Sequence, residues 1–155
     1  MKPVRRKDRE ISREEALAVA DKCAFSTLAT VNPDGSPYCV PLSMVRQGDC
    51  LYFHCALEGH KIDNLRHQSL VCISCVGDVK PFPEPFSLEY ESAIIFGKAC
   101  QVQEREEKML ALRLISERYA PDFMPVFDEY VRNTFDRTAV WKVQIDHISG
   151  KGRKA

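Results

Sequence analysis

The residues best suited to chemistry lie in segment 51–65, where an apolar stretch, a glycine and a basic stretch follow one another. Residues 51–55 have the aromatic and apolar content of a buried strand. Gly59 then interrupts the chain, and His60 and Lys61 open a short amphipathic helix. Backbone N–H groups at a helix start, the positive end of the helix dipole and a lysine ammonium can all bind one anion. The segment therefore predicts a phosphate-binding site.

The cysteines indicate a reducing compartment rather than disulfides or a metal centre. The chain holds seven, an odd number, and we expect them to stay reduced. Cys72 and Cys75 have CxxC spacing, but in the apolar run 70–76 they would point to opposite faces of a strand and could not close on one metal. A second group of possible zinc ligands comprises Cys50, His54, Cys55 and His60. Its spacing matches no common structural-zinc pattern, so we predict no metal site.

Length and composition indicate a single globular domain spanning residues 1–155. The 22 basic and 22 acidic residues cancel, which gives no reason to expect a nucleic-acid or membrane partner. No apolar run approaches the roughly 18 residues of a membrane span, and the charged N-terminus does not resemble a signal peptide. We expect a cytoplasmic protein whose basic ends, 1–10 and 151–155, are flexible tails.

Local signals divide the chain into strands and helices that must position segment 51–65. Ser12 and Glu15 form a capping box, which begins a helix that ends near Lys22. Residues 32–35 (Asn-Pro-Asp-Gly) are a strong turn signal between the two arms of a hairpin. Strands are predicted at 24–31, 38–45, 51–55, 70–76, 90–103 and 137–148, and further helices at 60–67, 104–119 and 121–133.

The order of these elements predicts a mainly β fold. Residues 77–88 hold three prolines and are predicted to form a long loop, either a lid or an interface segment. Gly97 predicts a β-bulge in the long strand that follows. Six antiparallel strands joined by hairpins, with helices at early, middle and late positions, favour a six-stranded antiparallel β-barrel with helices packed outside.

Several motifs, taken in order, carry a resemblance to a known family. The motifs are residues 52–56 (Tyr-Phe-His-Cys-Ala), 59–64 (Gly-His-Lys-Ile-Asp-Asn), 90–92, 96–97, and the strand that begins at 137 and ends in 148–151 (Ile-Ser-Gly-Lys). Together they resemble the FMN-binding split barrels of the pyridoxamine 5′-phosphate oxidase-like family, and more narrowly its Nim-type (5-nitroimidazole resistance) reductase branch. The resemblance spans roughly Arg5 to Arg153.

The resemblance implies a homodimer with two FMN sites at its interface, each built from both subunits. The flavin ring would meet the strand after the first hairpin, and the phosphate would meet the end of the next strand and the following turn. On this basis the ring-binding residues are Val40, Pro41, Leu42 and Ser43, through backbone N–H groups above all. The phosphate-binding residues are His54, Cys55, His60, Lys61 and Asn64.

Two further flavin contacts are implied on the last strand, Trp141 and Lys151, often from the partner chain. Trp141 is equally typical of a core residue. Without the family context, His54 would be interpreted as a hydrogen-bonded core histidine and Lys61 as a solvated charge. With it, both become site residues, and His54 becomes the candidate catalytic residue.

The implied activity is electron transfer from NAD(P)H through FMN to a small organic acceptor, such as a nitro compound. The C-terminal segment 150–154 only loosely matches the Arg-rich motif of the pyridoxamine phosphate oxidases, so we do not expect vitamin-B6 oxidation. A non-catalytic flavin-binding or flavin-storage protein is an alternative, and a deazaflavin could replace FMN. A haem-binding split barrel, with His54, His60 or His147 as iron ligand, is another, although the sequence indicates no apolar pocket beside a clear axial histidine.

Overall fold

One antiparallel sheet contains all the strands of the described chain, which covers residues 2–81 and 86–153 of the computed structural model. The strands run in the order β3-β2-β6-β7-β8-β5-β4, and β1 pairs with β8. Their bounds are β1 Glu10–Ile11, β2 Ser26–Val31, β3 Pro37–Leu42, β4 Val45–Gln47, β5 Cys50–Cys55, β6 Leu70–Pro81, β7 Leu88–Gln101 and β8 Ala139–Arg153.

Four α-helices and three short 3-10 helices connect the strands. The α-helices are α1 Arg13–Lys22, α2 His60–His67, α3 Arg105–Tyr119 and α4 Phe127–Thr134. The 3-10 helices are Lys7–Arg9, Pro121–Val126 and Phe135–Arg137. None of the described helices is long and apolar enough to cross a membrane.

The two edge strands of the sheet are consecutive in sequence, and this curves the sheet into a barrel. β3 and β4 lie at opposite ends of the strand order, yet only Ser43 and Met44 separate them along the chain. The edges therefore approach each other without pairing, which is the geometry of a split barrel. This confirms the predicted fold class, with eight strands instead of six because the short β1 and β4 are separate strands.

The barrel interior is filled from alternate positions of the long strands. Leu28, Phe53, Ile73, Ile95 and Val143 are fully buried there. Helix α1 begins with the predicted capping box and adds Ala16, Val19 and Ala20 to this core, and α2 adds Ile62 and Leu65. Both helices therefore seal the barrel through the apolar residues that their sequence periodicity indicates.

Helices cover only part of the outer face of the sheet. A second core forms where α3 and α4 pack on β4, β5 and β8, through residues such as Val45, Tyr52, Val140, Ile115 and Phe127. No described helix belongs to a core on the outer face of β3, β2, β6 and β7. That half of the sheet is therefore open in the single chain.

Several predicted boundaries differ from the structure because strand pairing overrides local signals. The predicted strand 38–45 breaks into β3 and β4 at Ser43–Met44. The predicted loop 77–88 is wrong over residues 77–81, which continue β6 by pairing with β7. Residues 82–85 of that loop lie outside the described residues.

Two further predictions, the bulge at Gly97 and the helix at 121–133, differ in detail from the structure. A bulge is present at Gly97, but its extra residue is Asp146 on the opposite strand, since Phe96 pairs with His147 and Gly97 with Ile145. A Cβ at Gly97 would clash with the Gln144 carbonyl oxygen, which is why glycine is needed there. The predicted helix 121–133 divides into a 3-10 helix, with Pro125 inside it, and α4.

The predicted tails differ in part from the structure. Residues 151–153 belong to β8 and pair with β7, and Glu10 pairs with Lys151. Residue 1 and residues 154–155 lie outside the described part of the chain.

Candidate functional site

The start of helix α2 forms the cationic centre of the candidate site. Gly59 occupies the N-cap position with φ 132°, a conformation that favours glycine. Its carbonyl accepts hydrogen bonds from the N–H groups of Ile62 and Asp63. Among the described residues, no side chain caps this helix start. The N–H groups of His60 and Lys61, which precede these two bonded residues, can therefore serve an anion beside the Lys61 side chain.

Lys61 acts electrostatically on the two residues that end strand β5. Desolvation is the main cause that lowers the pKa of His54, and the Lys61 charge lowers it further. Burial raises the pKa of the Cys55 thiol, and Lys61 opposes that shift. Lys61 therefore influences the pKa of both residues, while the His54 side chain faces the outer side of the sheet and Cys55 packs against the barrel core. At neutral pH the site contains a neutral imidazole beside an ammonium group.

The hairpin turn predicted at 32–35 holds His60 in place. The imidazole Nε2 lies 2.6 Å from Oδ1 of Asn32, and the amide of Asn32 donates to Ser36 at 2.9 Å. Because the amide oxygen can only accept, Nε2 carries the proton. The ring also packs on Tyr38, with 4.0 Å between ring centroids. The first residue of α2 is therefore fixed by the β2–β3 hairpin, although His60 itself is exposed.

Asn64 anchors helix α2 to strand β2. Its side chain is buried and donates from Nδ2 to the Thr30 hydroxyl of β2 at 3.0 Å. Thr30 is also buried. Asn64 thus sits one turn after the helix start, as predicted, and in this structure its amide positions α2.

The predicted ring-binding segment lies at the break between the two edge strands. Val40 and Leu42 pack partly against the barrel core, whereas Pro41 and Ser43 are exposed. The next residue, Met44, is buried, and its carbonyl accepts hydrogen bonds from Arg118 and from the Tyr119 hydroxyl, both at 2.7 Å. The end of α3 therefore fixes the backbone of this break.

Trp141 is the register partner of the residue that precedes His54, whereas Lys151 lies apart from this cluster within one subunit. Trp141 is buried in the barrel core, opposite Phe53. Its indole Nε1 is the one buried side-chain N or O atom without a hydrogen-bond partner in the described chain. Lys151 is ten residues further along β8, roughly 30 Å at about 3.3 Å per residue.

An apolar cleft opens beside His54, between β5 and the helices. It has a volume of about 340 Å³ and is lined by His54, Ile115, Tyr119, Phe123, Phe127 and Tyr130, among others. Ile115 and Phe127 are buried walls, whereas Phe123 and Tyr130 are exposed at the rim. The sequence indicated no apolar pocket beside a histidine, and the structure corrects that expectation.

Cys72 and Cys75 point to opposite faces of β6, as the strand geometry predicted. Cys75 faces the barrel core and Cys72 alternates to the other face of β6. In the described part of the chain, no group of three or more His, Cys, Asp or Glu residues could hold a metal ion.

Sequence reasoning missed the residues that position the site from afar. Asn32 and Tyr38 fix His60 across the hairpin, and Arg118 and Tyr119 fix Met44 across 74 and 75 residues. Asn32 was predicted only as a turn residue. Helical charges such as Arg118 ordinarily indicate a solvated face, so no local signal identified it.

Comparisons with known proteins agree with this architecture. The family model described as pyridoxamine 5′-phosphate oxidase matches residues 12–152. A search of curated proteins finds no match to this chain.

Solved structures share the fold over almost the entire chain. A proposed 5-nitroimidazole antibiotic resistance protein from Bacteroides thetaiotaomicron VPI-5482 is 30% identical, with a TM-score of 0.78 over 92% of this chain and 85% of that one. An FAD- and haem-binding protein from Mycobacterium smegmatis is 22% identical, with a TM-score of 0.76 over 95% and 74%. The haem-storage protein HutZ from Vibrio cholerae is 16% identical, with a TM-score of 0.66 over 88% and 92%. With its split barrel and its family model, the chain belongs to the pyridoxamine 5′-phosphate oxidase family.

Proposed function

We propose that the chain is an FMN-dependent oxidoreductase that passes electrons from NAD(P)H to a small organic acceptor. The observation that carries the proposal is the start of helix α2, where Gly59, Lys61 and uncapped N–H groups of the described chain meet the end of β5. A phosphate monoester fits this combination of a helix dipole, backbone donors and a lysine cation. The same site would serve the 5′-phosphate of FMN.

The chain's own residues would bind and orient the cofactor. Lys61 and the first turn of α2 would hold the phosphate, with His60 oriented by Asn32. Backbone N–H groups at Leu42 and Ser43 would bind the ring edge, because Met44 is anchored directly after them. When bound, the flavin supplies the two-electron chemistry. The protein supplies position and exclusion of water.

His54 is the candidate proton carrier of the site. Its lowered pKa keeps the imidazole neutral at pH 7, so a ring nitrogen can accept a proton or hydrogen-bond to a bound molecule. Its position on the wall of the apolar cleft would bring it to a small organic acceptor.

We further propose a homodimer formed through the open half of the sheet. The central outward positions of β3, β2, β6 and β7 hold no Asp, Glu, Lys or Arg, and Lys98, the register partner of Leu70, adds a charge at the edge of this face. Leu70 and Val76 there are more than half exposed in the single chain. These outward residues are Pro37, Cys39, Pro41, Thr27, Ala29, Val31, Leu70, Cys72, Ser74, Val76, Ser92, Ile94 and Phe96.

A dimer through this face would also explain how Lys151 can be a flavin contact. Lys151 continues the same outer face, opposite Ser92 on β7. It could then reach a site on the other subunit, as the family resemblance implies, although it lies far from Lys61 in its own chain. We also propose a cytoplasmic location, on the ground of the seven cysteines.

The test of catalysis is NAD(P)H oxidation by the FMN-loaded protein, with and without a nitroaromatic acceptor. The proposal predicts turnover that depends on the acceptor and falls in His54→Gln, whereas His67→Gln at the end of α2 is the matched control. Tight FMN binding without acceptor-dependent turnover would instead identify a flavin-storage protein. Failure to bind FMN would overturn both.

Haem binding is a second candidate, favoured by the apolar cleft beside His54. A neutral imidazole on an apolar wall is a suitable iron ligand. Titration with haem would test it, since a Soret band that is lost in His54→Ala supports the candidate. A spectrum identical to that of free haem would exclude it.

A further inference from the structure

Two buried thiols meet around one serine where helix α1 ends beside the barrel. Cys23 is the C-cap residue of α1, Ser26 begins β2, and Cys75 is the register partner of Ser26 on β6. The Ser26 hydroxyl lies 3.5 Å from the Cys23 sulfur and 3.4 Å from the Cys75 sulfur. Both sulfurs therefore surround one oxygen, and both cysteines are reduced.

A guanidinium group is fixed directly beside this pair. Arg118 donates to the Cys23 carbonyl at 2.7 Å and to the Met44 carbonyl at 2.7 Å. Its charge favours the ionised form of either sulfur. Hydrogen bonding by the neighbouring thiol is the main cause that lowers the pKa of Cys23, whereas the pKa of Cys75 is raised. The pair thus holds its first thiolate on Cys23, with Cys75 as the remaining thiol.

We propose that Cys23 and Cys75 are a redox-active dithiol that closes to an intramolecular disulfide when the protein meets a hydroperoxide. The Cys23 thiolate attacks the peroxide, its sulfur is oxidised to a sulfenic acid, and the O–O bond breaks to release water or an alcohol. The Cys75 sulfur then attacks the sulfenic acid, the S–S bond forms, and a second water leaves with the thiol proton. The peroxide is reduced by two electrons and the two thiols are oxidised by two.

The position of Cys23 provides the route of access. Cys23 is only 2% exposed, but it ends a helix, and Phe25 two residues later is 59% exposed. Helix ends and short connections open with less free energy than core strands. Local opening of residues 23–25 would therefore expose Cys23 before the barrel unfolds, whereas Cys75 stays in the core.

The same arrangement connects the thiols to the corner beside the predicted ring-binding segment. Arg118 bridges the Cys23 and Met44 carbonyls, and Met44 follows Ser43 directly. Closure of the disulfide removes the thiolate that the guanidinium faces and draws Cys23 toward β6. We therefore expect the change to reach Met44 through Arg118. This consequence rests on the proposed flavin site, whereas the disulfide itself does not.

The direct test is to treat the reduced full chain with hydrogen peroxide, block the remaining thiols under denaturing conditions and map the digest by mass spectrometry. The proposal predicts a 23–75 disulfide peptide, with the loss of two hydrogens, that disappears on reduction. If Cys23 and Cys75 stay fully alkylated while the exposed Cys100 is oxidised, the proposal is overturned.

Variants of Arg118 and Cys75 test whether these residues control the oxidation of Cys23, or whether its exposure to peroxide alone does. Arg118→Gln should raise the pKa of Cys23, and closure should therefore slow when it is measured at a pH below that pKa, by up to about tenfold for each unit of the rise. Arg118→Lys should largely retain the rate, and Arg113→Gln on the same helix is the control. In Cys75→Ala, peroxide should leave Cys23 as a sulfenic acid that a dimedone-type reagent traps. Equal rates in Arg118→Gln, Arg118→Lys and the wild-type protein would contradict the role of Arg118.

A second readout follows the link to Met44. In the FMN-loaded protein, closure should change flavin fluorescence in step with disulfide formation measured by mass. Disulfide formation with no change in fluorescence would support the redox-active dithiol and overturn only its proposed link to the flavin site. A protein that binds no FMN would overturn the proposed function, and the mass measurement would still decide on the dithiol.

Discussion

The Asn64 amide and the Thr30 hydroxyl form a buried hydrogen bond of 3.0 Å between helix α2 and strand β2. This bond fixes the depth and rotation of the helix whose first turn carries Lys61. An amide and a hydroxyl in an otherwise apolar core are costly unless they satisfy each other. The pair therefore connects the stability of the barrel with the position of the candidate site.

A double-mutant cycle tests this connection. Asn64→Ala and Thr30→Val should each lower the free energy of unfolding by about 1–3 kcal/mol, because each leaves a buried polar partner unsatisfied. The double variant should lose less than the sum, with a coupling of about 0.5–1.5 kcal/mol. Urea unfolding measures all three. Strictly additive losses would show that the two groups act independently.

Lys61→Ala tests the phosphate site. Removal of the ammonium should weaken FMN binding by about 1.5–3 kcal/mol, the value of a charge-assisted hydrogen bond. Binding can be measured by quenching of flavin fluorescence in a titration. Lys2→Ala removes the same charge from the N-terminal segment and serves as the control. If the two variants bind FMN alike, Lys61 does not belong to the site.

The titration of His54 tests its placement beside Lys61. Since its pKa is lowered in the folded state, unfolding takes up a proton at His54 between the folded value and about 6.5. The contribution of His54 to stability is therefore complete above about pH 6.5 and is lost as the pH falls through that window. NMR of the four histidines should find His54 below 6.5.

Lys61→Ala supplies the control for that measurement. Loss of the lysine charge should raise the pKa of His54, but only in part, because desolvation is the larger cause. A His54 pKa at its ordinary value in the unmodified protein would contradict the arrangement. An unchanged pKa in the variant would separate Lys61 from His54.

The fold was largely predictable where signals are local. The capping box at Ser12 and Glu15, and the helix 60–67 after Gly59, were predicted from neighbouring residues alone and are confirmed. The extension of β6 through Pro81 was not, because it depends on pairing with β7 across residues 88–91. The break at Ser43–Met44 was not predicted either, and the Met44 carbonyl there accepts a hydrogen bond from Arg118, far along the chain.

In the candidate site, too, the residues that are close in sequence were predictable, whereas those brought in by distant strands were not. His54 and Lys61 are seven residues apart across one turn, so their proximity follows from strand, glycine and helix in succession. Trp141 and Lys151 were assigned through the family resemblance alone. In one chain Trp141 pairs with Phe53, next to His54, whereas Lys151 lies ten residues further along β8. Strand order within the sheet decides this, and it is set by packing over the entire barrel.

The open half of the sheet provides a test of the proposed homodimer. Ala29→Glu places a charge between Cys39 and Cys72, at the centre of the uncharged face. Leaving that charge buried without a partner costs about 3–5 kcal/mol, so the dimer should dissociate about a hundredfold more readily or worse. Leu110→Glu on the exposed side of α3 is the control. A wild-type protein that is monomeric at micromolar concentration would contradict the proposed interface.

The absorption spectrum of the freshly purified protein shows whether the barrel holds a flavin. We expect flavin bands in the visible range and release of FMN on heating. A Soret band would instead favour haem and make His54 an iron ligand. A colourless protein that does not take up added FMN would leave the fold intact and contradict the proposed function.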